Sequence, residues 1–264
     1  MIPDIVYGTA WKEERTEDLV SKALKAGFRG IDTANQRRHY YEEGVGKALA
    51  TCGIPRKELF IQTKFTFADG QDHRIPYDAD ADYTTQVRQS FASSLEHLGV
   101  KTVDSYVLHG PSTGQGLADA DWEVWRAMEA IHAEGSALSL GVSNVTSEQL
   151  HTLWKGAGVK PSFVQNRCFA QLGWDRDVRA FCTEHRIVYQ GFSLLTANPF
   201  ALLGVRNIAA ALGKTPAQVI FRFARDVGML PLTGTSSEQH MAEDLALDFR
   251  LTQEQVRLIE GIAL

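Results

Sequence analysis

Eight short runs rich in β-branched and aromatic residues alternate with helical patterns from one end of the chain to the other. This alternation limits the fold more than any other feature of the sequence. The runs cover residues 5–10, 28–34, 59–65, 104–110, 139–144, 162–168, 187–193 and 229–235. Several are nearly continuous in apolar residues, as expected of parallel strands covered on both faces. Between them, apolar residues recur at helical spacing: Val87, Phe91 and Leu95 in one segment, Val124, Met128 and Ile131 in the next. Further helical segments are expected over 16–25, 147–154 and 175–184, and after Leu251. Thr215 followed by Pro216 reads as the N-cap and first turn of another. Strands alternating with helices imply a parallel sheet with right-handed crossovers. Eight such units in 264 residues fit a closed (β/α)8 TIM barrel, formed as a single domain over 1–264, better than an open doubly wound sheet. No GxGxxG loop follows the first run, which weakens the dinucleotide-binding alternative of the open sheet.

Composition narrows the class. Hydrophobic residues make up 44% and charged residues 22%, enough for a substantial core and unlike a disordered chain. The net charge of -5, with no basic run, argues against nucleic-acid binding. No stretch of about 18 apolar residues exists to span a membrane. The first ten residues lack a basic segment followed by an apolar one, so no secretory signal is expected and the cytoplasm is the expected location. Cys52, Cys168 and Cys182 form no CxxC pair, and the eight histidines form no HxH or HExxH cluster, so neither a disulfide framework nor a metal site is expected. Two loop-rich segments, 66–82 and 111–120, follow strand ends, on the face of such a barrel where ligands bind.

The ends of the predicted strands carry ionisable groups in apolar surroundings. Asp32 ends the second, Lys64 lies near the end of the third, and His109 closes the fourth. A closed barrel brings all three to one mouth. Charges so placed are costly unless paired or functional. A Lys held by an Asp stays charged, and a cation beside a phenol lowers the phenol's pKa. Tyr40 and Tyr41 stand in the loop after Asp32. A histidine that hydrogen-bonds a carbonyl oxygen and holds it towards such an acid completes machinery for protonating an oxygen that gains negative charge. Carbonyl reduction by hydride is a reaction of that kind.

On these residues the sequence resembles the aldo-keto reductases along nearly its whole length. Gly8-Thr9-Ala10-Trp11 resembles the first-strand motif of that family. Gly27-Phe28-Arg29-Gly30-Ile31-Asp32-Thr33-Ala34 resembles the second, and Val45-Gly46-Lys47-Ala48-Leu49 the helix that follows. Asp104 to Pro111 resembles the fourth-strand signature, and Leu140-Gly141-Val142-Ser143-Asn144 the fifth. The resemblance implies an NAD(P)H-dependent reductase of aldehydes or ketones with a catalytic tetrad of Asp32, Tyr40, Lys64 and His109. The tyrosine loop, 35–39, is expanded. Tyr40 matches the Y-x-x-E pattern with Glu43, Tyr41 is the alternative, and counting back from Val45 lands on His39.

The same resemblance implies that Ser143, Asn144 and Gln165 hold the nicotinamide carboxamide and that Phe192 stacks on the ring where the family usually has Tyr. Ser193 and Leu194 then lie near the pyrophosphate. The eighth-strand motif departs from the family's Lys-Ser/Thr and Arg pattern: Gly234, Thr235 and Ser236 are followed by His240, with Glu243 and Asp244 facing the adenine. The two cations that usually grip the 2′-phosphate are thus missing. NADPH is the first expectation and NADH the alternative. Gly110 follows His109 where the family often has an aromatic, and no segment matches the family's N-terminal hairpin or long C-terminal loop. An open substrate pocket follows, with Trp11 as its aromatic wall and a small-molecule carbonyl compound as the partner. Arg37 and Arg38 raise the alternative of an acidic substrate. Two other readings remain at this level: a redox-responsive interaction protein that binds cofactor with little turnover, and a phosphate-binding barrel lyase or isomerase without nicotinamide.

Overall fold

In the computed structural model, which describes residues 1–263, eight parallel strands close on themselves in sequence order, β1 to β8, with β8 pairing back to β1. The strands are β1 (Val6–Gly8), β2 (Gly30–Asp32), β3 (Phe60–Phe65), β4 (Ser105–Leu108), β5 (Leu140–Ser143), β6 (Phe163–Arg167), β7 (Val188–Phe192) and β8 (Met229–Thr233). Each falls inside one of the eight runs expected from sequence. The helices are α1 (Thr16–Ala26), α2 (Glu42–Thr51), α3 (Tyr83–Leu98), α4 (Asp119–Ala133), α5 (Ser147–Gly156), α6 (Arg176–Glu184), α7 (Pro199–Gly204), α8 (Arg206–Leu212), α9 (Pro216–Asp226), α10 (Glu238–Leu245) and α11 (Gln253–Glu260). This is the (β/α)8 TIM barrel. None of the described helices is long and apolar enough to cross a membrane.

Local signals place the helices. Thr215 accepts from the Gln218 backbone N–H and Pro216 opens α9, as the sequence predicts. Asp82 caps α3 through Thr85, and Gly99 ends it in the left-handed conformation (φ 65°) that glycine adopts without strain. The apolar core is mainly the layer between barrel and helices, where outward residues such as Ile31 and Ile61 meet helix residues such as Leu19 and Val45. A smaller cluster of Val6, Leu230 and Leu232 packs with Val188 and Phe192.

One packing feature fixes the segment before α2, which carries both candidate tyrosines. A Cβ at Gly46 would lie 2.0 Å from the His97 carbonyl oxygen, so only glycine lets α2 come this close to the end of α3. The approach buries Glu42, the first residue of α2. Its carboxylate accepts from Thr63 on β3, from Ser94 at 3.1 Å and from the His97 ring at 3.3 Å. The loop between β2 and α2 is therefore anchored at its far end by a paired, buried charge.

Candidate active site

The C-terminal ends of the strands surround a cavity of about 730 Å³, within the range of roughly 300–1,000 Å³ usual for small-molecule and cofactor sites. The register explains how three strand-end ionisable groups meet. Asp32 on β2 sits beside Gly8 on β1 and Gln62 on β3. Lys64 lies two residues beyond Gln62, so both side chains point to the same interior face. The Lys64 ammonium, fully buried, lies 2.7 and 2.8 Å from the two Asp32 oxygens and 2.7 Å from the Thr33 carbonyl oxygen. Burial pulls the Lys64 pKa down, and the Asp32 charge opposes that pull. Lys64 itself does not line the cavity; it lies beneath the groups that do.

Tyr40 lines the cavity, and its ring centroid is 5.2 Å from the Lys64 ammonium and 5.8 Å from the His109 ring. Tyr41 is not among the lining residues; it is the N-cap residue of α2, with the Arg37 guanidinium 5.9 Å over its ring. The Tyr40 pKa departs from expectation. Burial, with the Asp32 carboxylate adding to it, pushes the phenol above the ordinary tyrosine range, where a nearby cation alone would have lowered it. The physical reason is that Lys64 is already neutralised by Asp32 at contact distance. The resting phenol is therefore a firmly held proton.

His109 faces the same cavity, and its Nδ1 is 2.6 Å from the Thr66 hydroxyl. Burial, and then the Lys64 charge, pull its pKa down to about 3, so the ring is neutral near pH 7. The Asn144 side-chain amide donates to the His109 carbonyl at 2.8 Å and steadies the strand end.

The floor beside Asp32 is a ring of three buried glutamines. Gln62 and Gln165 each donate to Asp32 Oδ1, at 2.7 and 3.0 Å, and to Gln190 Oε1, at 2.8 and 2.9 Å. Gln190 returns a hydrogen bond to Gln62 Oε1 at 3.0 Å. An ionised carboxylate only accepts, so Asp32 forces both amides to present their nitrogens, and they in turn fix Gln190. Gln165, which lines the cavity, is left with an Oε1 that receives no hydrogen bond from the described residues. Ser143 and Asn144 line the cavity next to it. An acceptor so placed suits a carboxamide N–H.

The remaining expected positions divide. Phe192, Ser193, Leu194, Gly234, Thr235, His240, Glu243 and Asp244 all line the same cavity, as does Trp11. Ser236 does not; its side chain is exposed one step beyond. Asp244 is buried and accepts from Thr233 at 2.7 Å, and burial raises its pKa to about 6. Trp11 is 70% exposed, and its ring packs against His39 at a tilt of 37° with centroids 3.8 Å apart, so the wall is a two-ring pair at the rim. Arg37 and Arg38 are not lining residues: Arg37 pairs with Glu43. The long segments 66–82 and 111–120, expected at the ligand face, contribute no lining residue either. The first instead buttresses the tyrosine loop, Gln71 donating to the Asn35 carbonyl and Gln36 to that of Gly70.

Among the lining residues that the sequence reading did not assign to the site are Lys12, His39 and Arg167. Arg167 ends β6 with its guanidinium 5.4 Å from the centre of the Phe192 ring, and it makes no ion pair with the described residues. Lys12 follows the Trp11 motif directly, which was the available signal.

Comparison with known proteins identifies the family. The profile of the aldo/keto reductase family matches residues 4–200. An aldo-keto reductase of Mycobacterium marinum is 33% identical over 253 residues, 95% of this chain and 83% of that protein. Methylglyoxal reductase DkgA of Escherichia coli is 30% identical over 262 residues, 97% of this chain and 88% of that one. Among solved structures, an aldo/keto reductase from Brucella melitensis superposes with a TM-score of 0.85 at 31% identity, covering 99% of this chain and 95% of that one. A Bombyx mori aldo-keto reductase, solved in complex with NADP, gives 0.83 at 25% identity, covering 99% and 89%. By sequence and by structure, the chain belongs to the aldo/keto reductase family.

Proposed function

We propose that the protein reduces an aldehyde or ketone to the alcohol using NADPH, with NADH as the second cofactor, and that Tyr40 is the proton donor. One observation carries the reading: at a cavity wall, the Tyr40 ring centre lies 5.2 Å from the Lys64 ammonium bound to Asp32 and 5.8 Å from the neutral His109 ring. The residues fit a nicotinamide. Gln165 offers an unused acceptor for the carboxamide, Ser143 and Asn144 flank it, and the Phe192 face serves for stacking, which needs no hydroxyl. The reduced cofactor supplies the hydride.

The chain's own groups do the rest. With the Thr66 hydroxyl, 2.6 Å from His109 Nδ1, acting as donor to that nitrogen, the Nε2 hydrogen is left for the substrate carbonyl oxygen and sets that oxygen beside Tyr40. Tyr40 then passes its hydroxyl proton to the oxygen as negative charge develops there. The phenolate that results is the moment at which Lys64 matters most, since a phenolate whose ring centre is 5.2 Å from an ammonium in a buried site is favoured. The raised resting pKa and the catalytic role are consistent: the proton is held until the product oxygen is the stronger base. Trp11 and His39 receive the rest of the substrate.

The test is oxidation of NADPH and NADH by the purified protein with 4-nitrobenzaldehyde. Aldehyde-dependent oxidation is expected, faster with NADPH. Cofactor binding without turnover would instead support a redox-responsive binding protein.

A further inference from the structure

The end of the cavity that takes adenosine on the proposed reading is formed by the loop after β8 and by α10, through Gly234, Thr235, His240, Glu243 and Asp244. No lysine or arginine stands among them. The barrel, however, closes β8 against β1, pairing Val6 with Leu232 and Tyr7 with Thr233. That closure brings the segment after β1 over the same loop. The Lys12 side chain crosses to it and its ammonium donates to the Gly234 carbonyl oxygen. A Cβ at position 234 would lie 3.6 Å from the Lys12 Nζ, in van der Waals contact, so the ammonium stands where a side chain at 234 would begin.

Arg15 follows one turn later, its backbone N–H donating to the Lys12 carbonyl oxygen at 3.0 Å. The Arg15 charge acts on Lys12, adding to burial in lowering its pKa. It acts also on the Tyr7 hydroxyl, which donates to the Thr235 carbonyl at 2.8 Å. Neither Lys12 nor Arg15 forms an ion pair with any described residue. A partly buried ammonium with no ion-pair partner has given up hydration, and an incoming anion offsets that cost.

We propose that Lys12, in the segment after β1, supplies the cation that grips the 2′-phosphate of NADPH, replacing a basic side chain after β8. This rests on the reading that the chain binds a nicotinamide dinucleotide. The 2′-phosphate is the group that distinguishes NADPH from NADH, so Lys12 is a specificity determinant. A cation on the diphosphate would serve both cofactors alike.

The experiment is titration of protein fluorescence with NADPH and with NADH, for the wild type, Lys12→Met, and Lys12→Met combined with Gly234→Lys. The wild type is expected to bind NADPH more tightly. Lys12→Met is expected to lose about 10- to 100-fold in NADPH affinity, the worth of a hydrogen bond to a charged group, and far less in NADH affinity. The double variant, with a cation restored in the vacated space, is expected to regain much of the preference. Equal losses for both cofactors would place Lys12 on the shared diphosphate and overturn the proposal, as would an unchanged NADPH affinity. A folded wild type that binds neither cofactor would instead remove the functional reading on which the proposal rests.

Discussion

The Lys64 ammonium lies 5.2 Å from the centre of the Tyr40 ring while it holds both oxygens of Asp32. Lys64 therefore works as half of an ion pair in the resting protein and as a counter-ion to Tyr40 only when the tyrosine gives up its proton. Burial keeps the phenol protonated until then. The expected consequence is a reduction rate that stays flat from about pH 6 to pH 9, because Tyr40 does not titrate there. A fall in kcat with a midpoint near pH 7 would point to another acid.

The Thr66 hydroxyl lies 2.6 Å from His109 Nδ1, and in the proposed mechanism it donates there so that the ring hydrogen sits on Nε2. Thr66→Val removes that donor while keeping the shape. The ring can then place its hydrogen on Nδ1 and present a bare nitrogen to the substrate oxygen. A loss of about 3- to 10-fold in kcat is expected, the worth of one neutral hydrogen bond, with cofactor affinity little changed. Steady-state kinetics and a cofactor titration on the same variant separate the two.

Two histidines give stability opposite pH dependences. His109 is pulled down to about 3 in the folded chain, so below its unfolded value near 6.5 the unfolded chain binds the extra proton and stability falls as pH drops. His97 is raised by its hydrogen bond to Glu42, so its contribution is full below about 6.5 and is lost as pH rises through its folded value. His97→Gln is expected to flatten the decline in stability above pH 6.5 and leave the acid side unchanged. The slope involved is at most about 1.4 kcal/mol per pH unit, less here because His97 is partly solvated and so screened. Urea denaturation at several pH values measures it.

The glutamine ring should behave as one unit. Gln62→Met removes a donor to Asp32 and leaves a Gln190 nitrogen without its acceptor, a cost of about 1–3 kcal/mol in stability. Gln190→Met removes the partner of both other amides. The double variant is expected to cost less than the sum of the two, by about 0.5–3 kcal/mol, since the second substitution breaks bonds already lost. Additive losses in a double-mutant cycle would show the amides to be independent.

What could be read from the sequence follows from sequence distance. Strand ends are legible because parallel strands read as apolar runs, and an ionisable group that closes such a run is conspicuous; Asp32, Lys64 and His109 were visible for that reason. The choice between Tyr40 and Tyr41 was not, because adjacent loop residues point in different directions only after Glu42 and Gly46 have fixed the start of α2. The loop 66–82 looked like a ligand loop by composition, yet its glutamine and the loop it supports satisfy each other's backbone. Lys12 meets Gly234 across 222 positions, and Gln62 meets Gln190 across 128. Such pairings exist only once the barrel has closed.

The central claim is that Tyr40 gives the proton, and Tyr40→Phe and Tyr41→Phe, each assayed for NADPH binding and for single-turnover reduction of 4-nitrobenzaldehyde, test it most directly. Tyr40→Phe is expected to bind NADPH as the wild type does and to lose about 10²- to 10⁴-fold in the reduction rate, while Tyr41→Phe stays within about threefold, short of the worth of one full hydrogen bond. Full activity in Tyr40→Phe, with the loss appearing in Tyr41→Phe, would contradict the account.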